Sequence, residues 1–285
     1  MMSKRLLSTA NIGNTTAESR KKGKIVSNGL ETSDISQQGA NSEYTVGWIY
    51  ALTTESVAAR AFLDEEYGGP EAVAQHDNSS YILGKISSHN IVITVLPNTE
   101  YSTTSAAAIA RDMLHSFPNV RIRLMVGIGG NTPSLKRDIR LGDIVVSSPG
   151  GGKGGLLDDI EITLKKIKKR KNYRKPTLTS DRLYKSDVIH PSHSSESCEI
   201  TYGNNETNLV VRNKRNKEDD NPAIYYGLIT SRNQLMKDIC IRDKLINKKG
   251  VLCFEMEAAG LINYFPCLVI RGIYDYSDSH KNKDW

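Results

Sequence analysis

The sequence predicts an α/β fold, on two observations. Short β-branched runs alternate with helix-like stretches, and several of the runs are apolar throughout, as strands buried on both faces require. The chain of 285 residues is long enough for one large α/β domain with a sizeable core. In chain order, the first run is Tyr44 to Leu52, followed by Thr53-Thr54-Glu55 and a helix through Leu63. A Thr oxygen accepts orphan N–H groups, and an early Glu suits the positive end of a helix. Tyr81 to Ile86 and Asn90 to Leu96 read as strands around a polar turn. Ser102-Thr103-Thr104-Ser105 opens an Ala-rich helix to about His115. Arg123 to Gly127 is a strand ending in Gly127-Ile128-Gly129-Gly130, and Asp143 to Ser147 is another.

Regularity then stops. Pro149 to Gly155 holds five glycines and reads as a loop, Asp158 to Lys171 as a charged helix, and Pro176 to Asn221 as polar and turn-rich. Pattern returns with the apolar run Ala223 to Ile229 and a helix over Asn233 to Asn247, whose stripe includes Leu235, Met236, Ile239, Ile241 and Leu245. The strand Cys267 to Ile270 delivers Arg271 to Asp278. Residues 1–43 are rich in Ser, Thr, Asn, Gln and Gly. They bury too little apolar surface to offset ordering entropy, so a disordered leader is expected before a domain spanning 44–285. That domain carries an irregular basic, polar insert at about 150–222.

The net charge of +6 is a local matter. Lys165 to Lys175 holds eight basic residues, so the rest of the chain carries −2. A nucleic-acid role would rest on that run alone, and with Tyr173 its one aromatic it lacks the interleaved aromatics of a base-stacking surface. The run reads as solvated, or as a nuclear address. No apolar stretch approaches the ~20 residues needed to span a bilayer. The four cysteines form no CxxC pair, and the chain opens on no secretory apolar region, so a reduced, cytoplasmic setting is expected. His190 and His193 with Cys198 lack a fourth ligand, so no metal is expected.

Three acids stand at the ends of apolar elements: Glu55, Glu257 and Asp275. Ligands bind outside the carboxyl ends of strands in open α/β sheets, which favours acids placed there. The chain resembles the purine nucleoside phosphorylase / uridine phosphorylase superfamily, and within it the nucleosidase-like domains of fungal multidomain, NLR-like proteins. The motifs are YTVGWIYALTTES (44–56), LMVGIGGNTPSLKRDIRLGDIVVS (124–147), FEMEAAG (254–260) and VIRGIYDYSDSHKNK (269–283).

The resemblance implies a three-layer α/β/α fold with a mixed central sheet, lacking the family's last helix. It implies hydrolysis of the N-glycosidic bond of a purine, specifically adenine, nucleoside or nucleotide, without metal or organic cofactor. Asp275 would protonate the departing base and Glu55 would activate water. Glu257 would accept hydrogen bonds from the ribose hydroxyls, and Met256 would pack on the sugar. Phe254, Gly129 and Gly130 would complete the pocket. Ser102, Thr103 and Thr104, at a helix N-terminus, would meet a charged 5′ group. Phosphorylase members hold phosphate with an Arg and a Ser at the places of Met125 and Ile128. Apolar side chains cannot hold a dianion, which favours water over phosphate as the nucleophile.

Homo-oligomers are the family's habit. The segment after Ser148 offers no counterpart to the family's base-pocket wall. Alternative readings are therefore a catalytically impaired nucleoside-binding or signalling domain and, second, a phosphorolytic enzyme.

Overall fold

The computed structural model describes residues 39–96, 103–134, 137–147, 176–191, 196, 198–202, 205–216, 221–232, 234–262 and 265–280. Ser102, the loop Pro149 to Gly155, the basic run 165–175, His193 and all of 1–38 lie outside the described residues, as do the side chains of Thr103 and Thr104. Among the described residues, ten strands form one mixed sheet: β1 Val46–Tyr50, β2 Glu65–Tyr67, β3 Tyr81–Ile86, β4 His89–Val95, β5 Ile122–Asn131, β6 Ile144–Val146, β7 Ile224–Tyr226, β8 Leu228–Ser231, β9 Val251–Glu255 and β10 Leu268–Asp275. The order along the sheet is β2-β3-β4-β1-β5-β10-β6-β7, with β9 joined to the end of β5 and β8 to β9. The expected α/β class with a mixed sheet is the one observed.

Helices lie on both faces, and the pleat explains how. In β1, Ile49 packs with Ala106, Ala110 and Met113 of helix α2 (Thr103–Ser116). Val46 and Tyr50 point the other way, towards Ala59 of helix α1 (Thr53–Phe62) and Leu63 just beyond it. The short helices α3 (Cys198–Tyr202) and α5 (Ala258–Leu261) and the longer α4 (Ile239–Lys249) complete the helical set among the described residues. None of these helices is long and apolar enough to cross a membrane.

Three expectations change. The ordered chain begins before 44, because Asn41 donates to Ala72 O (2.7 Å) and Ser116 O (2.9 Å) from a 3-10 turn at Asn41–Glu43. Within the irregular stretch, Leu183 and Tyr184 are buried, and Leu183 packs with Ile139, Leu141 and Val145. The described part of the insert is therefore packed against the sheet, with short helical turns and a single bridge between Tyr184 and Leu209. The helix expected from Asn233 starts instead at Ile239, because the Asp238 side chain accepts the Ile241 N–H (3.0 Å) and caps it. Leu235 and Met236 thereby leave the helical stripe.

Candidate functional site

Strand β5 changes neighbours midway. Its first half pairs with β1 as far as Met125, and its end pairs with β9 at Gly130 and Asn131. Between these ladders the Ile128 N–H faces no strand, and the Glu55 carboxylate takes it at 2.8 Å through Oε1. The other oxygen, Oε2, accepts the N–H groups of Ala51 and Leu52, each at 2.9 Å. Glu55 is thus both the cap of α1 and the clasp between α1 and β5. A carboxylate has about four acceptor sites, so three bonds leave one for a further donor such as water. At position 127 a Cβ would lie 2.6 Å from Glu55 Oε1 and closer still to the Arg271 guanidinium, so any other residue there must displace one of these two groups.

Beneath this clasp, Arg271 of β10 is 1% exposed. One of its terminal nitrogens donates to Glu255 Oε2 at 2.6 Å and to Glu257 Oε2 at 3.1 Å. Glu255 also accepts the N–H groups of Glu257 (2.9 Å) and Ala258 (2.8 Å), so it holds the turn that presents Glu257. One guanidinium cannot balance two buried carboxylates equally. Burial works to raise Glu255, yet Arg271 and these donors outweigh it and hold Glu255 below its ordinary value. Burial dominates at Glu257, and with the repulsion of Glu255 it overcomes Arg271 and pushes the carboxyl up to about 7. Arg271 and Glu255 had no assigned role in the sequence reading. Both lie inside its motifs, but only their non-local pairing reveals the cluster.

Asp275 reaches the same place through a bulge. The register of β10 against β5 shifts between Ile273 and Asp275, which face Gly129 and Gly130. The extra residue, Tyr274, lets neighbours that would alternate across a strand both face one cleft. Burial first, and Asp275 second, push the Tyr274 hydroxyl well up, so it remains a proton donor. Ser277 has φ 51° and points its N–H back at Asp275 Oδ1, 2.9 Å away. A Cβ on Gly130 would lie 2.6 Å from Asp275 Oδ1. The glycine leaves room for the acid.

These groups surround a cleft of ≈ 340 Å³. Glu55, Glu257 and Asp275 line it together with Phe254, Met256, Gly129 and Gly130, all drawn from the sequence-identified set. Met125 does not: it is fully buried, with its sulfur 3.3 Å from Arg271. Ile128 does line the cleft. The segment after Ser148, where a gap in the wall is expected, lies outside the described residues. Gln234, Leu235 and Met236, from the segment freed by the Asp238 cap, form a wall beside Phe254 and Met256. Among the described lining residues there is no Lys or Arg.

No protein-family model matches the chain. In an alignment 281 positions long that covers 86% of this chain, it is 38% identical to a nucleotide-binding leucine-rich repeat (NLR)-like protein of Hyaloscypha variabilis, and it spans 28% of that protein. Among solved structures it is similar to the 5′-methylthioadenosine/S-adenosylhomocysteine nucleosidase of Helicobacter pylori, with a TM-score of 0.48 and 16% identity over 83% of this chain and 87% of that one. Similar values hold for the futalosine hydrolase of Helicobacter pylori (TM-score 0.48, 16% identity, 85% and 89% covered). For the nucleosidase of Streptococcus pneumoniae they are 0.47, 17%, and 82% and 87%.

Proposed function

We propose that the chain hydrolyses the N-glycosidic bond of an adenine nucleoside or nucleotide. The observation that carries this reading is the convergence of Glu55, Glu257 and Asp275 on one cleft with a partly apolar wall. A purine ring fits against Leu235, Met236 and Phe254, with Asp275 at the edge to protonate it as the bond breaks. Glu257 accepts from the sugar diol, and the remaining acceptor site of Glu55 orients water against the anomeric carbon. The carboxylates also favour the positive charge that develops on the sugar ring.

Phosphate fits poorly. Arg271, beside Glu257, is already bonded to Glu255 and Glu257, Arg232 meets the lining only at the Met236 sulfur (3.3 Å) among the described residues, and an unpaired dianion among carboxylates is costly to bury. The resemblance would put the 5′ group at the N-terminus of α2, where Thr103 opens the helix. Incubating purified protein with adenosine, methylthioadenosine and ATP, with and without phosphate, tests the reading. Adenine and free sugar should appear without phosphate. Release of ribose 1-phosphate only when phosphate is supplied would sink it.

A second reading, a nucleoside-binding signalling module, draws on two facts. The similar protein is NLR-like and much longer, and Glu55 already caps a helix with three bonds. Saturable adenosine binding by calorimetry, with no adenine released, would favour it.

A further inference from the structure

Away from the cleft, the chain brings a second nucleophile together with a base. Cys198 opens α3, and its sulfur lies 3.4 Å from His280 Nδ1. The other ring nitrogen, Nε2, lies 2.7 Å from the carbonyl oxygen of Val188. A carbonyl oxygen only accepts, so Nε2 carries the proton and, in the neutral ring, Nδ1 is a bare acceptor turned towards the thiol. The ring is fixed on its other sides. Tyr184 stacks on it at 4.1 Å and 18°, and Tyr202 meets it edge-on at 5.4 Å. Its backbone N–H is held by Asp278 Oδ1 at 2.8 Å.

The base is enclosed, at 6% exposure, while the thiol is partly open to solvent. This is the arrangement of a nucleophile with an oriented base behind it. Among the described residues, the titratable groups around the ring are Cys198, Tyr184, Tyr202 and His190, whose ring is 5.9 Å away, with Asp278 and its partner Arg242 on the backbone side. Burial, and after it the repulsion of His190, outweigh the bond to Val188 and hold His280 below its ordinary value. The neutral, proton-accepting ring is therefore the form present near pH 7.

We infer that Cys198 and His280 form a thiol-exchange site for low-molecular-weight aliphatic disulfides such as glutathione disulfide. His280 Nδ1 takes the Cys198 proton, and the thiolate attacks one sulfur of the disulfide. The old S–S bond breaks as the new one forms, and the departing thiolate takes up the proton from His280. One thiol and one disulfide give one mixed disulfide and one thiol, with no other reactant. No residue of the adenine cleft takes part, so the inference stands or falls independently of the proposed nucleosidase activity.

The chain contains its own control, because Cys240 on α4 is the more exposed thiol. The full chain is treated with glutathione disulfide at pH 7, and adduct formation at each cysteine is followed by peptide mass mapping. Cys198 should be modified at least about tenfold faster than Cys240. His280→Gln should bring Cys198 to the rate of Cys240 or below, leaving the rate at Cys240 unchanged. Equal rates at the two cysteines in the unaltered chain would overturn the inference, as would an unchanged Cys198 rate in a folded His280→Gln. If that variant does not fold, iodoacetamide alkylation of the unaltered chain against pH decides. Cys198 must keep a reactive shoulder below pH 8 that Cys240 lacks, and coincident profiles would overturn the assignment.

Discussion

At the cleft, one buried arginine faces an excess of acid, whereas around Asp143 the charges match. Arg271 serves both Glu255 and Glu257, and Glu55 and Asp275 line the same cleft. Glu255 Oε1 and Arg271 Nε have no hydrogen-bond partner among the described residues. In the second cluster Arg140, Arg212 and Arg215 meet Asp138, Asp143 and Asp181. There Asp143, fully buried, accepts four hydrogen bonds, from Arg215 twice, from the Arg140 N–H (2.7 Å) and from the Ala223 N–H (3.1 Å). The balanced cluster ties the segment 205–216 to β6 and β7, and its polar needs are met internally. The acidic cluster is left short of donors, a deficit that a ligand carrying donors can fill.

The contrast can be broken most decisively at Asp275. Asp275→Asn keeps the shape but cannot supply a proton, and adenine release should fall by about 10²–10⁴-fold. Equal rates in the two proteins would remove Asp275 from the mechanism. Arg271→Met comes next. It leaves two buried carboxylates uncompensated and should destabilise the fold by about 3–5 kcal/mol in urea denaturation. Adding Glu257→Gln should recover part of that loss, because one of the stranded charges disappears. Failure to recover would place the cost in packing rather than in charge.

The pH dependence of stability sharpens the comparison. Glu257 is raised from 4.5 to about 7 in the fold. Its protonated form is therefore favoured by folding, a contribution fully present below pH 4.5 and lost as pH rises through about 7. Glu257→Gln should flatten stability across this window and gain about 1–3 kcal/mol at pH 8 relative to the unaltered chain. An unchanged pH profile would show that Arg271 neutralises both acids after all. The smallest effect belongs to the balanced cluster. Tyr276→Phe removes the hydroxyl that accepts from Arg212 (2.7 Å) and donates to Asp181. It should cost about 1 kcal/mol without altering adenine release. A large loss of activity instead would join the two clusters functionally.

The motif residues Phe254, Met256, Glu257 and Asp275 were legible as a site because each sits where a strand ends, and all four do line the cleft. Glu55 was legible both as a helix acid and as a site acid, and its three bonds make it the first without denying it the second. Leu235 and Met236 were misread. Their spacing fits a helical stripe, and only the Asp238 cap, set by a local bond, starts the helix after them. Leu183 and Tyr184 were hidden in a polar stretch, since two buried residues make no period.

By itself, the sequence determined the alternation of strands and helices, the glycines that let side chains approach β5, and the acids at the strand ends. These are local properties, written in residue type and spacing. Tertiary structure alone decided that Arg271 is shared by Glu255 and Glu257, that Glu55 caps an unpaired N–H at Ile128, and that Leu235 and Met236 line the cleft. Each of those depends on which strand edge is left open and which charges are buried together. Such facts follow from the pairing of distant segments, and nothing in the order of residues states them.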